Sequence, residues 1–298
     1  MLSMSNEINA KPLASRPKLS VCMATYNGER FISRQLQTIL SQLLPDDEII
    51  ISDDSSTDKT VEIIRAFNDS RIYLYNRGQA LDSRIYSYKS GQTFHSPCYN
   101  FEHALKQANG EIIFLSDQDD EWKDGWVEAA LTALRDVSLV VCDADMIDAE
   151  GKLGPPSEVR IFLKRPRRTG FIQNLYRNSY IGCCCAFRRE ILEVALPFPA
   201  GLPEHDWWIG LVADTFFSTK FIRDRKVRYR RHGSNNSPTG AKSTNPLMVK
   251  LRMRWNIGKA LLMRSFSNQA GESGIRFLLK NRMSASSGHT SQQEDMKG

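Results

Sequence analysis

The chemistry of this chain gathers where an apolar run ends in acid. Ile112-Ile113-Phe114-Leu115 is followed at once by Ser116, and then four carboxylates crowd positions 117–121: Asp117, Asp119, Asp120 and Glu121. Held that close, unpaired carboxylates repel one another, and a hard cation such as Mg²⁺ or Mn²⁺ relieves the repulsion while also binding substrate phosphates. A short β-branched run of this kind reads as a buried strand, and ligands of open α/β sheets sit just past the carboxyl ends of the strands. The acids fall at that place. The competing reading is a polar turn that caps the next helix.

Two further sets carry the same signal. Asp53-Asp54-Ser55-Ser56-Thr57-Asp58 follows another apolar run, Glu48 to Ser52. It reads either as a helix cap or as an acceptor set for nucleotide N–H and hydroxyl donors, since carboxylates only accept. The second acidic set, at Asp117 to Asp120, would then take ribose and a cation bridging a diphosphate. Downstream lie Glu204-His205-Asp206-Trp207-Trp208 and Tyr229-Arg230-Arg231-His232-Gly233. Asp206 is open to two readings, a helix cap or a general base for an acceptor hydroxyl. Trp207 and Trp208 offer ring faces for a sugar, and His232 is either a third metal ligand for an ion such as Mn²⁺ or a loop histidine.

The elements that must position these groups alternate. Strands are expected at Leu19–Ala24, Glu48–Ser52, Arg71–Tyr75, Ile112–Leu115, Leu139–Cys142 and Phe221–Tyr229. Helices are expected around Phe31 to Leu40, Val61 to Phe67, Asn100–Gln107, Trp126–Leu134, Arg188–Ala195 and Glu204–Phe216. This order predicts an α/β fold, a doubly wound and mostly parallel sheet of Rossmann-like type. Arg77 to Tyr99 is long, polar and poorly periodic, an inserted loop. Lys152 to Gly170 is a second irregular stretch, carrying Arg160, Lys164, Arg165, Arg167 and Arg168.

Composition sets the bounds. With 298 residues, 41% hydrophobic and 25% charged, the chain is ordinary globular material. No run approaches the length of a membrane span, and the polar start lacks a signal-peptide core, so a cytoplasmic protein is expected. Cys183, Cys184 and Cys185 are consecutive, which suits neither a metal clamp nor a disulfide framework, and all six cysteines read as reduced and buried. The net charge is +6, yet from Lys242 to Arg282 nine Lys or Arg face one Glu. The chain therefore divides into a flexible segment 1–18, a main domain 19–240, a basic amphipathic helical extension 241–284 and a Ser/Gln-rich disordered tail 285–298.

Taken in order, Ala24-Thr25-Tyr26-Asn27-Gly28, Ser52 to Asp58, Asn100-Phe101-Glu102, Gly110 to Trp122, His205 to Trp208 and Arg230 to Gly233 resemble family-2 glycosyltransferases of the GT-A fold. The rhamnosyltransferase-like branch is the nearest likeness, over about Leu19 to Gly240. The resemblance implies that Thr25, Tyr26 and Asn27 line the donor nucleotide, that Asp54 with Asp53 meets the base, and that Asp117 contacts the ribose. It implies that Asp119 holds Mg²⁺ or Mn²⁺ with His232 beside it, and that Asp206 is the catalytic base of an inverting transfer from dTDP-β-L-rhamnose. The branch usually has a short connection where this chain has 77–99, so donor contacts made there do not carry over.

The partners implied are a nucleotide-sugar donor and a saccharide acceptor of the polyprenyl-linked kind. The 247–264 segment mixes cations with large apolar residues and is expected to touch the inner face of the plasma membrane peripherally. No nucleic-acid motif appears. Two other readings stay open at this point: a Mg²⁺-dependent phosphoryl transfer with Asp117 as nucleophile, and a non-catalytic nucleotide-sugar-binding module.

Overall fold

The structure, a computed structural model, describes residues 18–76, 86–88, 92–94, 97–154, 170–233 and 246–266. Runs rich in Ile, Val and Leu form the strands β1 (Leu19–Thr25), β2 (Glu48–Asp53), β3 (Ile72–Asn76) and β6 (Ile112–Asp117). β1, β2 and β6 are buried along nearly their whole length, as strands covered on both faces must be. They pair in parallel, β1 between β2 and β6, with β3 outside β2. The helices between them are α1 (Ile32–Leu40), α2 (Thr60–Ala66) and α3 (Pro97–Gln107). α1 turns Ile32, Leu36 and Ile39 inward at helical spacing.

The remainder of the chain is β7 (Glu121–Trp122), α4 (Trp126–Ala133), β8 (Leu139–Ile147), α5 (Phe171–Tyr176), β9 (Cys185–Arg188), α6 (Glu190–Ala195), α7 (His205–Phe216), β10 (Thr219–Arg230) and α8 (Leu247–Phe266). The large sheet has eight strands in the order β3-β2-β1-β6-β9-β8-β10-β7. β8 and β10 are parallel, whereas β9 runs antiparallel to both β6 and β8, and β7 antiparallel to β10. The expected α/β class and mostly parallel sheet therefore hold, with β9 joining two parallel blocks.

Three expectations shift. The predicted strand at Leu139–Cys142 continues to Ile147 because Asp143 and Asp145 are themselves buried, Asp145 between Lys123 and Arg225. The helix expected from Arg188 starts at Glu190, since Arg188 still belongs to β9. Within the inserted stretch, β4 (Tyr86–Tyr88) and β5 (Gln92–Phe94) pair antiparallel as a separate two-stranded sheet. The basic residues between 160 and 168, segment 1–17 and the tail 285–298 lie outside the described residues.

All six cysteines are buried and free, as expected from their spacing. α8 accounts for the described part of the basic extension. It rests on the main domain through Ile257 and Leu261. Arg254 also donates from Nε to the Leu175 carbonyl (3.1 Å), and Arg264 from Nη1 to the Leu196 carbonyl (3.0 Å).

Candidate active site

The carboxyl ends of β1, β2 and β6 meet at one edge, because the register sets Thr25 beside Asp53 and Ala24 beside Asp117. After β1 the chain turns through Asn27, whose φ of 48° is the left-handed conformation that asparagine tolerates. Thr57 N–H donates to Asn27 Oδ1 (2.8 Å), Ser56 Oγ accepts from Asn27 N–H (2.9 Å), and Gly28 N–H reaches Thr60 Oγ1 (2.7 Å). Gln118 clamps Tyr26 from both sides: its Oε1 accepts from Tyr26 N–H (2.9 Å) and its Nε2 donates to the Tyr26 carbonyl (3.0 Å). A Cβ on Gly28 would stand 2.4 Å from Gln118 Oε1, so glycine is required for this approach.

Asp53 is placed differently from the expectation. It is fully buried, and its Oδ2 accepts from Thr25 Oγ1 (2.8 Å) and Ser56 Oγ (2.6 Å), while Oδ1 accepts from Ser56 N–H (2.9 Å). Thr25 is likewise 1% exposed. These two side chains are buried within the rim, hydrogen-bonded to each other and to Ser56. Tyr26, Asn27 and Asp54 remain partly or fully exposed there.

The acidic run after β6 is organised the other way. Burial pushes the Asp117 carboxyl up to about 7, with the negative charges of Asp119 and then Asp206 adding to it. Burial also raises Asp120 well above the carboxylate range, reinforced by Asp119 and Asp117. Asp119 Oδ2 lies 2.8 Å from His232 Nε2. The pairing of sequence-distant Asp119 and His232 is therefore real, either as a hydrogen bond or as two donors to one ion.

Asp120 and Glu121 build that approach. Arg230 N–H donates to Asp120 Oδ1 (2.8 Å), and the Arg230 guanidinium donates to Glu121 Oε1 (2.6 Å) and to the Asp119 carbonyl (2.8 Å). Arg230 is only 5% exposed, so it locks the end of β10 to the β6–β7 loop and sets His232 against Asp119. Phe31 lies under this corner, 4.8 Å from the His232 ring and 5.0 Å from the Arg230 guanidinium. From α1, Gln35 Nε2 donates to Ser116 Oγ (2.7 Å) and to the Asp117 carbonyl (3.2 Å), fixing the strand end.

Asp206 enters from α7. It is not the N-cap, which is Glu204. Its Oδ2 accepts from Gly182 N–H (3.1 Å), and its Oδ1 from Trp207 N–H (2.6 Å) and Asn178 Nδ2 (3.3 Å). Asn178 also donates to Glu204 Oε2 (2.8 Å), so one amide orients both acids. His205 stacks on Phe101 at 3.9 Å, and burial lowers its imidazole from 6.5 to about 4. A Cβ on Gly182 would stand 2.9 Å from His205 Nε2, which explains the glycine facing Asp206.

The two tryptophans do not offer faces for a sugar. Trp208 is fully buried with its Nε1–H on the Ala195 carbonyl (2.9 Å), and Trp207 is 7% exposed with its Nε1–H on the Asn174 carbonyl (2.7 Å). They anchor α7 in the core and so fix the position of Asp206.

The donor set fits a hard divalent cation. Asp117, Asp120 and Cys183 place ligand atoms within 4.8 Å of one another, and the charge of Asp119 acts on both of these acids. The Cys183 thiol is pushed well up, by Cys184 and then by burial, which leaves oxygen as the useful donor, as Mg²⁺ and Mn²⁺ prefer. Gln118, Arg230, Asn178 and Gly182 escaped the sequence reading as positioning residues. Gln118 and Arg230 stood inside the motifs, but only the fold shows what they reach; Asn178 carried no local signal.

A sequence model described as Glycosyl transferase family 2 matches residues 20–196. A Shigella flexneri protein named dTDP-rhamnosyl transferase RfbG is 28% identical over 280 residues, 86% of this chain and 91% of the relative. An Escherichia coli protein named UDP-Glc:alpha-D-GlcNAc-diphosphoundecaprenol beta-1,3-glucosyltransferase WfgD is 25% identical over 203 residues, 67% of this chain and 72% of the relative. Among solved structures, S. aureus TarS in complex with UDP-GlcNAc superposes with a TM-score of 0.57 at 17% identity, over 85% of this chain and 74% of that one. The mannosyltransferase PcManGT from Pyrobaculum calidifontis, in complex with GDP-Man and Mn²⁺, gives 0.52 at 18% identity, over 93% and 82%. The fold is GT-A.

Proposed function

The chain belongs to glycosyl transferase family 2, and from that premise we propose that it is an inverting, metal-dependent transferase. It moves L-rhamnose from dTDP-L-rhamnose to a saccharide acceptor in the synthesis of a cell-surface polysaccharide. The observation that carries this reading is that Asp206, brought by α7, lies near enough to Asp117 for its charge to add to the rise of that carboxyl, after burial and Asp119. That proximity supports a base on one element and a phosphate-side acid set on another within one site.

In this reading Tyr26, Asn27 and Asp54 take the nucleotide, with Thr25 and Asp53 holding the rim behind them, and Asp117 takes the ribose. Asp119, with His232 beside it, would hold Mg²⁺ or Mn²⁺, which when bound would neutralise charge on the leaving diphosphate. Asp206 accepts the proton of the acceptor hydroxyl, whose oxygen forms the new bond to the anomeric carbon as the bond to the diphosphate oxygen breaks. General-base help of this kind is worth about 10² to 10⁴-fold. The three N–H groups on Asp206 hold the carboxylate in one orientation for that transfer.

The donor assignment draws on the sequence motifs and on the name of the Shigella relative. The E. coli relative's name supports a lipid-diphosphate-linked acceptor and makes UDP-glucose the competing donor. Release of nucleoside diphosphate from a panel of nucleotide sugars tests the reading, with dTDP-L-rhamnose expected to turn over fastest. No release from any sugar nucleotide would leave only a binding module. For the metal, chelator should abolish turnover and Asp119→Ala should mimic it; full activity of that variant in chelator contradicts the assignment.

A further inference from the structure

α8 has two opposed faces. Ile257 and Leu261 point into the domain, whereas Met248, Leu251, Trp255, Leu262 and Phe266 are each more than half exposed. Their spacing of three, four, seven and four residues keeps them on one stripe of a 3.6-residue helix. Trp255 is 73% and Phe266 80% exposed. An exposed stripe of this size on the described residues marks a contact surface, since isolated exposed apolar residues are common but contiguous ones are not. The neighbouring α5 extends it: Ile172 is 80% and Tyr176 71% exposed, and Arg254 ties the two helices by donating to the Leu175 and Tyr176 carbonyls.

We propose that this joint face of α8 and α5 is a membrane-contact surface that seats the protein on an anionic bilayer. The charge of the helix chooses the occupant. α8 has five Lys or Arg and no Asp or Glu, and two of those cations, Arg254 and Arg264, are engaged on backbone carbonyls of the domain. Exposed Arg252 and Lys259 flank the apolar stripe, the arrangement in which apolar residues enter the interface while cations meet acidic headgroups. A second copy of the chain would set two such cationic helices against each other and repel. No helix of the described residues is long and apolar enough to cross a membrane, so contact would be in the interfacial plane.

The helix that carries this surface contacts the helix that carries Asp206. The Arg254 guanidinium sits 5.8 Å over the ring of Trp207, the residue after Asp206. Seating α8 on the bilayer would hold the neighbouring α7, which carries Asp206, near the membrane, a consequence that matters to catalysis only if the transferase reading above is right.

Vesicle binding is read without substrates or turnover, so it can fail while the transferase reading stands. The full chain is sedimented with phosphatidylglycerol/phosphatidylcholine vesicles and with phosphatidylcholine alone, at low and high salt. Wild type is expected to bind the anionic vesicles at low salt, and Trp255→Glu with Leu262→Glu to weaken binding at least about tenfold. Should that pair fail to fold, Arg252→Glu with Lys259→Glu is expected to remove the preference for anionic vesicles. The proposal is overturned if wild type stays in the supernatant. It is equally overturned if a folded variant pair sediments like wild type, or if light scattering shows a dimer that the Trp255 pair dissociates while no vesicles bind.

Discussion

The acidic stretches after β2 and β6 look alike in sequence and are opposites in the fold. After β2, Asp53 spends both oxygens on Thr25 and Ser56, so the charge is used inside the protein and the rim is rigid. After β6, Asp117 is driven up to about 7 by burial, Asp119 and Asp206, so the charge is held at a cost to the fold. Asp53, fully buried with both oxygens hydrogen-bonded, serves as scaffold; Asp117, repelled by its neighbours, has the perturbed character common at ligand sites. Glu121 shows that both kinds can stand close together, since Arg230 turns it into scaffold only two residues from Asp119.

The comparison can be broken by substitution. Arg230→Met removes the guanidinium from buried Glu121, and loss of one partner of such a pair is expected to cost about 3 kcal/mol of stability. The urea midpoint should fall accordingly, with turnover lost as His232 leaves Asp119. If the midpoint does not move, Arg230 is not the lock.

His205 tests whether the Asp206 side also works against the fold. Burial lowers its folded value from 6.5 to about 4, so the unfolded chain binds the extra proton between those pH values. Stability is then complete above 6.5 and falls as pH drops from 6.5 towards 4, by on the order of 3 kcal/mol. Denaturation followed across that range should show the slope in wild type and lose most of it in His205→Phe. An identical slope in both proteins contradicts the burial argument.

The two acidic sets themselves come next. Asp53→Ala leaves the donors of Thr25 and Ser56 buried without an acceptor, at about 2 kcal/mol. Asp54→Ala should leave the thermal midpoint unchanged and raise the KM for the donor. Asp117→Asn, by contrast, relieves repulsion: thermal unfolding should show no loss, or a gain of about 1 kcal/mol, while calorimetry shows weaker donor binding. A destabilised Asp117→Asn would mean that the two stretches do not differ as described.

Much of this arrangement was legible in the sequence. The strand and helix alternation shows itself because each strand is a short β-branched run and each helix repeats its apolar residues at helical spacing. The acids at 117–121 show themselves by following such a run. What local reading misses is set by contacts far along the chain. β9 begins at Cys185 with no periodicity of its own and forms because β6 and β8 both lack a neighbour there. β8 runs past Asp143 and Asp145, where the local pattern says stop, because Lys123 and Arg225 arrive to pair Asp145. Asp53 and Asp54 are adjacent and chemically identical, and only the register with Thr25 tells which is buried. The paired tryptophans are ambiguous for the same reason, as an aromatic pair beside an acid is equally a sugar platform or a core anchor until its burial is known.

The central claim is that Asp206 takes the proton, and one experiment meets it directly. Transfer from dTDP-L-rhamnose is measured for wild type and for Asp206→Asn, an isosteric change that keeps an acceptor for Gly182 N–H, with donor affinity measured in parallel. The account predicts donor binding like wild type and turnover lower by about 10³-fold. An Asp206→Asn protein that transfers sugar at the wild-type rate contradicts it.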